Sequence, residues 1–274
     1  MASLPLPQCG PVTGNSDLYG LGVRIGVYAQ WVATLLTTVF EPSNESPLRL
    51  LNLIVQTAIF LGLCTESGHR ASAVGSLITQ FLLCGSLSSV TGDGISHLGH
   101  ASGILRALFY TAFSAYGIWF WFVGFDEMLR PGCPEIAFFG PSLITGWFRS
   151  LGRVVSVLGL VVCVLLLAFS LYISVRRFRP GLRAGFTRPS GRRPRVEITL
   201  MLLSMALLGL SVATIEYLIQ VNNIQGVGAA KIGTVAQLIP LLAGTLACFL
   251  SVWKIVFSNL LFQKRCWFLL GWHL

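Results

Sequence analysis

The chain reads as an all-α membrane protein, a bundle of seven transmembrane helices with its N-terminus outside and its C-terminus in the cytoplasm. Three observations carry that expectation. Of its 274 residues 54% are hydrophobic and 11% charged, at a mean hydropathy of +0.75, outside the range of soluble domains. Seven stretches reach the roughly 17–25 mostly apolar residues that a span requires. One loop between two of them, 176–195, carries Arg176, Arg177, Arg179, Arg183, Arg188, Arg192, Arg193 and Arg195 and no acid.

The elements follow in chain order. Residues 1–18 form an outer N-terminal segment without Lys or Arg. It lacks the basic and apolar regions of a cleavable signal, so the first span is expected to act as its own insertion signal. The membrane domain, 19–262, holds spans at about 19–40, 48–64, 71–90, 103–124, 154–175, 196–219 and 234–256. The fourth closes in the aromatic run WFWF, as at a membrane interface. A longer connection, 126–152, follows it, and its FFGPSLITGWFRSLG part suits a short amphipathic surface piece. The fifth span, rich in Val and Leu, is the clearest. The seventh carries Pro240, a site for a kink. Residues 263–274 are too few to span and read as a cytoplasmic interfacial tail.

The arginine loop sets the orientation, because basic residues in short loops stay on the cytoplasmic side. Pro180, Gly181, Pro189, Gly191 and Pro194 argue against a helix there. Lys264 and Arg265 in the tail agree with a cytoplasmic C-terminus, while Arg70, Arg130, Arg149, Arg153 and Lys231 fall outside and count against it. The eight-arginine loop outweighs these scattered cations. The formal charge of +9 therefore reports topology and an attraction for anionic lipid rather than a nucleic-acid partner. The bilayer is the expected partner; which membrane, plasma membrane or endomembrane, stays open. No sequence repeat is present, and an odd helix count excludes two equal transporter halves.

Charged and amide side chains within spans are costly and tend to face the bundle interior, so they are the candidates for function. Arg24, Glu216 and Gln237 lie at similar depth near the outer ends of the first, sixth and seventh spans. Asn222, Asn223, Gln225 and Lys231 crowd the adjoining loop. Arg24 and Glu216 would relieve each other's desolvation as a pair, either as a structural ion pair or as a site for a polar group of a small-molecule ligand. Gln237 and Asn222 complete that candidate ligand site. Gln30, Gln56, Gln80 and Asn52 form a deeper layer suited to hydrogen bonds between helices. Asp93, His97 and His100 have metal-like spacing on a helix, but Gly92, Gly94 and Gly99 argue against the helix, and no metal or cofactor is expected.

Seven cysteines without a CxxC pair form neither a disulfide scaffold nor a redox motif. Cys9 and Cys133 are the two placed in outer segments, which suits a disulfide, with Cys64 as a possible third. Cys266, beside Lys264 and Arg265, is a candidate for palmitoylation. The sequon at Asn44 is followed by Pro47 in a cytoplasmic loop, so no glycan is expected there.

The stretches CGPVTGNSDLYGLGVRIGVYAQWVATLL (9–36), TIEYLIQVNNIQGV (214–227) and VAQLIPLLAG (235–244) resemble a group of uncharacterised fungal multi-pass membrane proteins. The match covers the first, sixth and seventh spans with their outer loops and contains Arg24, Glu216, Asn222, Gln237 and Cys9. That group has no established activity to carry over; some members are encoded beside specialised-metabolism genes. Retinal proteins need a lysine midway along the last span, whereas Lys231 and Lys254 lie at its ends. The DRY and NPxxY motifs of the large receptor family are absent. Fungal membrane-bound terpene cyclases share the size and helix count, but Glu216 is the one acid clearly within a span.

The reading is a membrane protein that binds, senses or passes a small molecule or ion through an outer-leaflet polar pocket. An intramembrane enzyme of lipid or terpenoid metabolism, with Glu216 as general acid and Arg24 its electrostatic partner, is the alternative. A scaffold without ligand is the third.

Overall fold

A helix that is polar along one stripe and apolar along the rest is stable in a bilayer only when other helices cover the polar stripe. The segment LGVRIGVYAQWVATLLTTVF meets that condition in the computed structural model, which describes residues 10–40, 45–67, 72–85, 101–130, 133, 135–140, 142–178, 194–228 and 232–270. It forms α2 (Leu21–Phe40), behind a strand β1 (Val12–Thr13) and a short helix α1 (Ser16–Tyr19) capped by the Asn15 side chain. Val23, Arg24, Val27, Gln30, Trp31, Ala33, Thr34 and Thr37 are all buried, so α2 is enclosed for most of its length.

The other elements are α3 (Glu45–Ser67), α4 (Ala73–Cys84), α5 (Ala101–Trp119), a π-helical turn (Phe120–Gly124), and the short α6 (Phe125–Met128). The strands β2 (Ile136–Phe138) and β3 (Ser142–Leu143) precede α7 (Trp147–Phe178), α8 (Pro194–Val221), β4 (Ile224–Gln225) and α9 (Val235–Leu270). Among the described residues five helices are long and apolar enough to cross a membrane: Pro47–Ser67, Gly103–Met128, Trp147–Arg176, Leu202–Val221 and Val235–Phe257. The protein is all-helical in its membrane part, and these helices mark it as an integral membrane protein.

Two expected boundaries move. The piece read as an amphipathic surface segment divides into the β2–β3 hairpin, with Ile136 opposite Leu143, and the first turns of α7, which begins at Trp147 rather than near 154. The tail from residue 263 continues α9 as helix to Leu270 instead of leaving it, and Pro240 does not interrupt that helix. Pro240 is the sixth residue of α9, past the first turn, so its missing N–H leaves the Ala236 carbonyl without an i→i−4 donor. The described part of the third span ends as a helix at Cys84, 12 residues long. The 86–100 segment with Asp93, His97 and His100, the arginine loop from 179 to 193, Arg70, Lys231, and the sequon at Asn44 lie outside the described residues.

α2 and α9 run parallel, and glycine sets their spacing. Gly22 and Gly26 form a small-xxx-small step on α2, and a Cβ added to Gly26 would overlap the Pro240 carbonyl. A Cβ on Gly244 would likewise overlap the Gly26 carbonyl. Further along the same face the Thr37 and Ser251 hydroxyls bond at 3.2 Å. α5 and α7 pair in the same economical way, with Gly117 against Ser156 and Gly159 against Ser114. The outer face of α7, from Val154 to Val175, is exposed and almost wholly apolar.

The loops at one end of the bundle assemble into a cap. β1 pairs in parallel with β4, Val12 beside Ile224 and Thr13 beside Gln225. Gly14 N–H donates to the Gln225 carbonyl (2.8 Å), Leu21 N–H to the Val227 carbonyl (3.1 Å), and Thr234 to Asp17 (2.7 Å). The Asn15 amide reaches Glu66 at the end of α3. Arg130 donates to Glu135 (3.2 Å) and to the Gly10 carbonyl (3.3 Å), joining the β2–β3 side of the cap to the N-terminal strap. At this end α2, α4, α7 and α9 begin and α3, α5 and α8 finish.

Candidate functional site

Arg24 sits one turn into α2, a side chain whose long apolar stem packs among helices while its guanidinium seeks acceptors. It finds them on α8 and in the cap: one terminal nitrogen pairs with the Glu216 carboxylate and the other donates to the Val227 carbonyl at 3.3 Å. Tyr28, four residues on and therefore on the same face of α2, donates its hydroxyl to the second Glu216 oxygen at 3.1 Å. Two donors thus converge on one carboxylate. The Arg24 side chain is 4% exposed and that of Glu216 39%, so the cation is enclosed and the anion opens outward. The Arg24 Nε–H is buried and has no acceptor.

The sequence pairs Arg24 with Glu216, and the structure brings them together. Tyr28 was missed by that reading, although its i+4 spacing from Arg24 is the signal that would have found it. The other two expected site residues, Asn222 and Gln237, make contacts of their own. The Asn222 side chain accepts from Ile136 N–H (2.9 Å) and donates to the Ile136 and Leu218 carbonyls (3.0 Å each), copying a strand edge and fastening β2 to the end of α8. Asn223, with φ 47°, then turns the chain out of α8 in the left-handed conformation that Asn tolerates. Gln237 is fully buried against α2, where a side chain on Gly20 or Gly22 would meet it at 2.8 and 3.0 Å. It serves the α2–α9 contact because the glycines beside it leave room for nothing else.

In the deeper amide layer Gln56 donates to Asn52 (2.8 Å) within α3, a bond along one helix rather than between two. Cys133 is disulfide-bonded, and its partner lies outside the described residues, as does Cys9 of the expected pair. Cys64 does not join them: it is free, like Cys84, Cys163 and Cys248. The described residues contain no cluster of three or more metal-ligating side chains.

Of the cations expected at the outer side, the three described ones, Arg130, Arg149 and Arg153, have partners here. Arg149 pairs with Asp126 (2.7 Å) and stacks over Phe125, 4.6 Å from the ring centre. Arg153 donates to the Trp121 carbonyl (3.2 Å) in the π-helical turn and lies over Phe122. Glu135, buried at the start of α4, has its carboxyl pushed above the usual range by burial, while Arg130 and the Val74 N–H pull the other way. Compared with family models, curated proteins and solved structures, the chain has no significant match.

Proposed function

We propose that this is a seven-helix protein with the capped end outside the cytoplasm, and that it binds, senses or passes a small polar molecule at the Arg24–Glu216–Tyr28 cluster. The observation that carries this reading is an enclosed arginine held against a carboxylate that is itself 39% exposed. Enclosing both partners of an ion pair costs desolvation that their attraction does not reliably repay, and here only the cation is enclosed. Here the anion keeps a free side toward which a ligand can approach. The general-acid alternative fits less well, because a carboxylate accepting from both Arg24 and Tyr28 is arranged as counter-ion and acceptor.

The orientation rests on the arginine loop, whose eight arginines outnumber the outer-side cations, of which Arg130 and Arg149 pair with acids and Arg153 with the Trp121 carbonyl. The same reading makes Cys9 the partner of Cys133, since Arg130 already holds the Gly10 carbonyl nearby. The chain then belongs with the fungal multi-pass proteins that its first, sixth and seventh helices resemble. A cysteine placed at Ser190 should resist an impermeant thiol reagent on intact cells; strong labelling would invert the topology. For the site, a panel of neutral polar solutes is added to purified protein in thermal unfolding. A solute that raises the midpoint with wild type and not with Glu216→Gln supports binding, and its conversion to product would favour the enzyme. No stabilising solute in the panel would count against the site.

A further inference from the structure

We propose that the N-terminal strap, residues 10–20, is a lid over the Arg24–Glu216–Tyr28 cluster, and that its lock is a disulfide between Cys133 and Cys9, opened by a dithiol reductant at the outer face. This control rests on the site and orientation proposed above and adds how access to that site is regulated. Cys133 is disulfide-bonded, and its partner follows by elimination and reach. Of the seven cysteines, Cys64, Cys84, Cys163 and Cys248 are free, which leaves Cys9 and Cys266. Cys133 lies in the cap, where its N–H donates to the Arg130 carbonyl (3.3 Å). α9 starts at that same end, so Cys266 is roughly 46 Å away along the helix at about 1.5 Å per residue. Bridged Cα atoms lie within about 7 Å of each other. Cys9, by contrast, adjoins Gly10, whose carbonyl Arg130 already holds.

One residue stacks the strap on the site. The Val227 carbonyl accepts from the Arg24 guanidinium (3.3 Å) and from Leu21 N–H (3.1 Å). The Val227 side chain meets Gly14, where an added Cβ would lie 2.5 Å from Val227 and 2.6 Å from Ile224. Arg24, Val227 and Gly14 thus follow one another in contact, and Val227 is buried beneath the strap. β1 continues the cover, with Val12 and Thr13 paired to Ile224 and Gln225. With the strap down, the Arg24 side chain is 4% exposed and that of Glu216 39%, so the anion is reachable and the cation is not.

The outer attachments of the strap, Arg130 to the Gly10 carbonyl and Thr234 to Asp17, are exposed hydrogen bonds that water can replace. A covalent tether at the free end keeps them at high effective concentration. Cys133 is partly exposed, so a thiolate of the reductant can reach the bridge. It attacks one sulfur, giving a mixed disulfide and one protein thiol, and the second thiol of the reductant then displaces the other. Two electrons and two protons pass to the cysteines, and the reductant leaves as its disulfide. The free end can then lift, β4 loses its partner strand, and Arg24 becomes reachable from the outer solution.

The test uses the full chain in lipid nanodiscs, oxidised or treated with dithiothreitol, and the arginine reagent phenylglyoxal, with modified residues located by mass spectrometry. Reduction should raise the modification rate of Arg24 at least fivefold, leave that of the exposed Arg176 unchanged, and be reversed by reoxidation. Amide exchange should quicken at residues 12–21 and 224–227 and not along the rest of α2 and α9. Gly14→Val, which pushes the strap off Val227, should open Arg24 with the bridge intact. A non-reducing map joining Cys133 to any cysteine other than Cys9 would overturn the lock, as would a bridge that resists dithiothreitol in the folded protein. Arg24 reactivity unchanged by reduction and by Gly14→Val would overturn the lid. Faster exchange throughout α2 and α9 would make the bridge a staple of the whole bundle, which also defeats the proposal. The solute panel separates the two levels. If reduction opens Arg24 while no solute stabilises the protein through Glu216, the lid stands and the ligand site falls. If a solute acts through Glu216 with equal midpoint shifts in oxidised and reduced protein, the site stands and its control by the strap falls.

Discussion

Helix α2 meets α9 and α8 by opposite means. Against α9 the backbones touch: Gly22 and Gly26 let Gln237, the Pro240 carbonyl and Gly244 approach so closely that no side chain fits between. Against α8 the backbones stay apart, and Arg24 and Tyr28 cross the interval to one carboxylate. In lipid, apolar packing between helices gains little over packing against acyl chains, so close contact needs small residues and distant contact needs polar bridges. The first arrangement fixes a frame. The second leaves the Glu216 carboxylate partly exposed, and it leaves α8 dependent on α4 and on the cap for its position.

The largest effect should come from breaking the frame. Gly26→Leu puts a branched side chain into the Pro240 carbonyl and should cost at or above the roughly 3 kcal/mol upper end of overpacking penalties. Thermal unfolding in detergent checks this, and a tolerated Leu would mean the two helices separate easily. Next comes the bridge. Arg24→Ala strands Glu216 and should cost about 1–3 kcal/mol, below the roughly 3–5 kcal/mol of a fully buried pair because Glu216 is partly exposed. Combining it with Glu216→Gln should recover part of the loss in a double-mutant cycle, whereas additive effects would deny the coupling.

Two smaller changes ask whether the cap holds α8. Asn222→Ala removes both bonds to Ile136 and should cost roughly 2 kcal/mol. Faster amide exchange confined to residues 135–143 and the end of α8 would identify the cause; a change in α2 and α9 instead would not fit. The smallest effect is on pH. Burial raises the Glu135 carboxyl, so the folded cap binds the proton more readily than the unfolded chain. The cost of burying the ionised form is present above the folded-state value and disappears as pH falls through the window just above the ordinary carboxylate range. Cap amides should therefore gain protection, measured as the ratio of intrinsic to observed exchange rate, on acidification across that window, and Glu135→Gln should flatten the profile; a protection that falls would give the opposite sign.

Much of the fold was legible because the bilayer imposes a one-dimensional rule. Each span must be long and apolar, and a run of about 20 residues announces itself without any knowledge of its neighbours. Arg24 and Glu216 were legible for the same reason, since a charge within such a run is conspicuous and costly. Tyr28 was not, because a tyrosine in an apolar helix carries no such signal until its partner is placed. The contacts of Asn222 with Ile136 and of Gln237 with Gly20 and Gly22 were not legible either, because they depend on which elements meet at the cap.

The sequence by itself determined the all-helical class, the spans that length and hydropathy mark, and the two charges that have to meet. It could do so because insertion and desolvation costs are properties of a residue and its immediate neighbours along the chain. The tertiary structure alone decided that α2 lies enclosed against α9, that α8 is reached by side chains, that the loops close into a cap, and that Glu216 keeps one side open. Those depend on which helix faces which and how near, and that choice follows from the summed contacts of residues far apart in the chain, Arg24 with Glu216 and Gly26 with Gly244 among them.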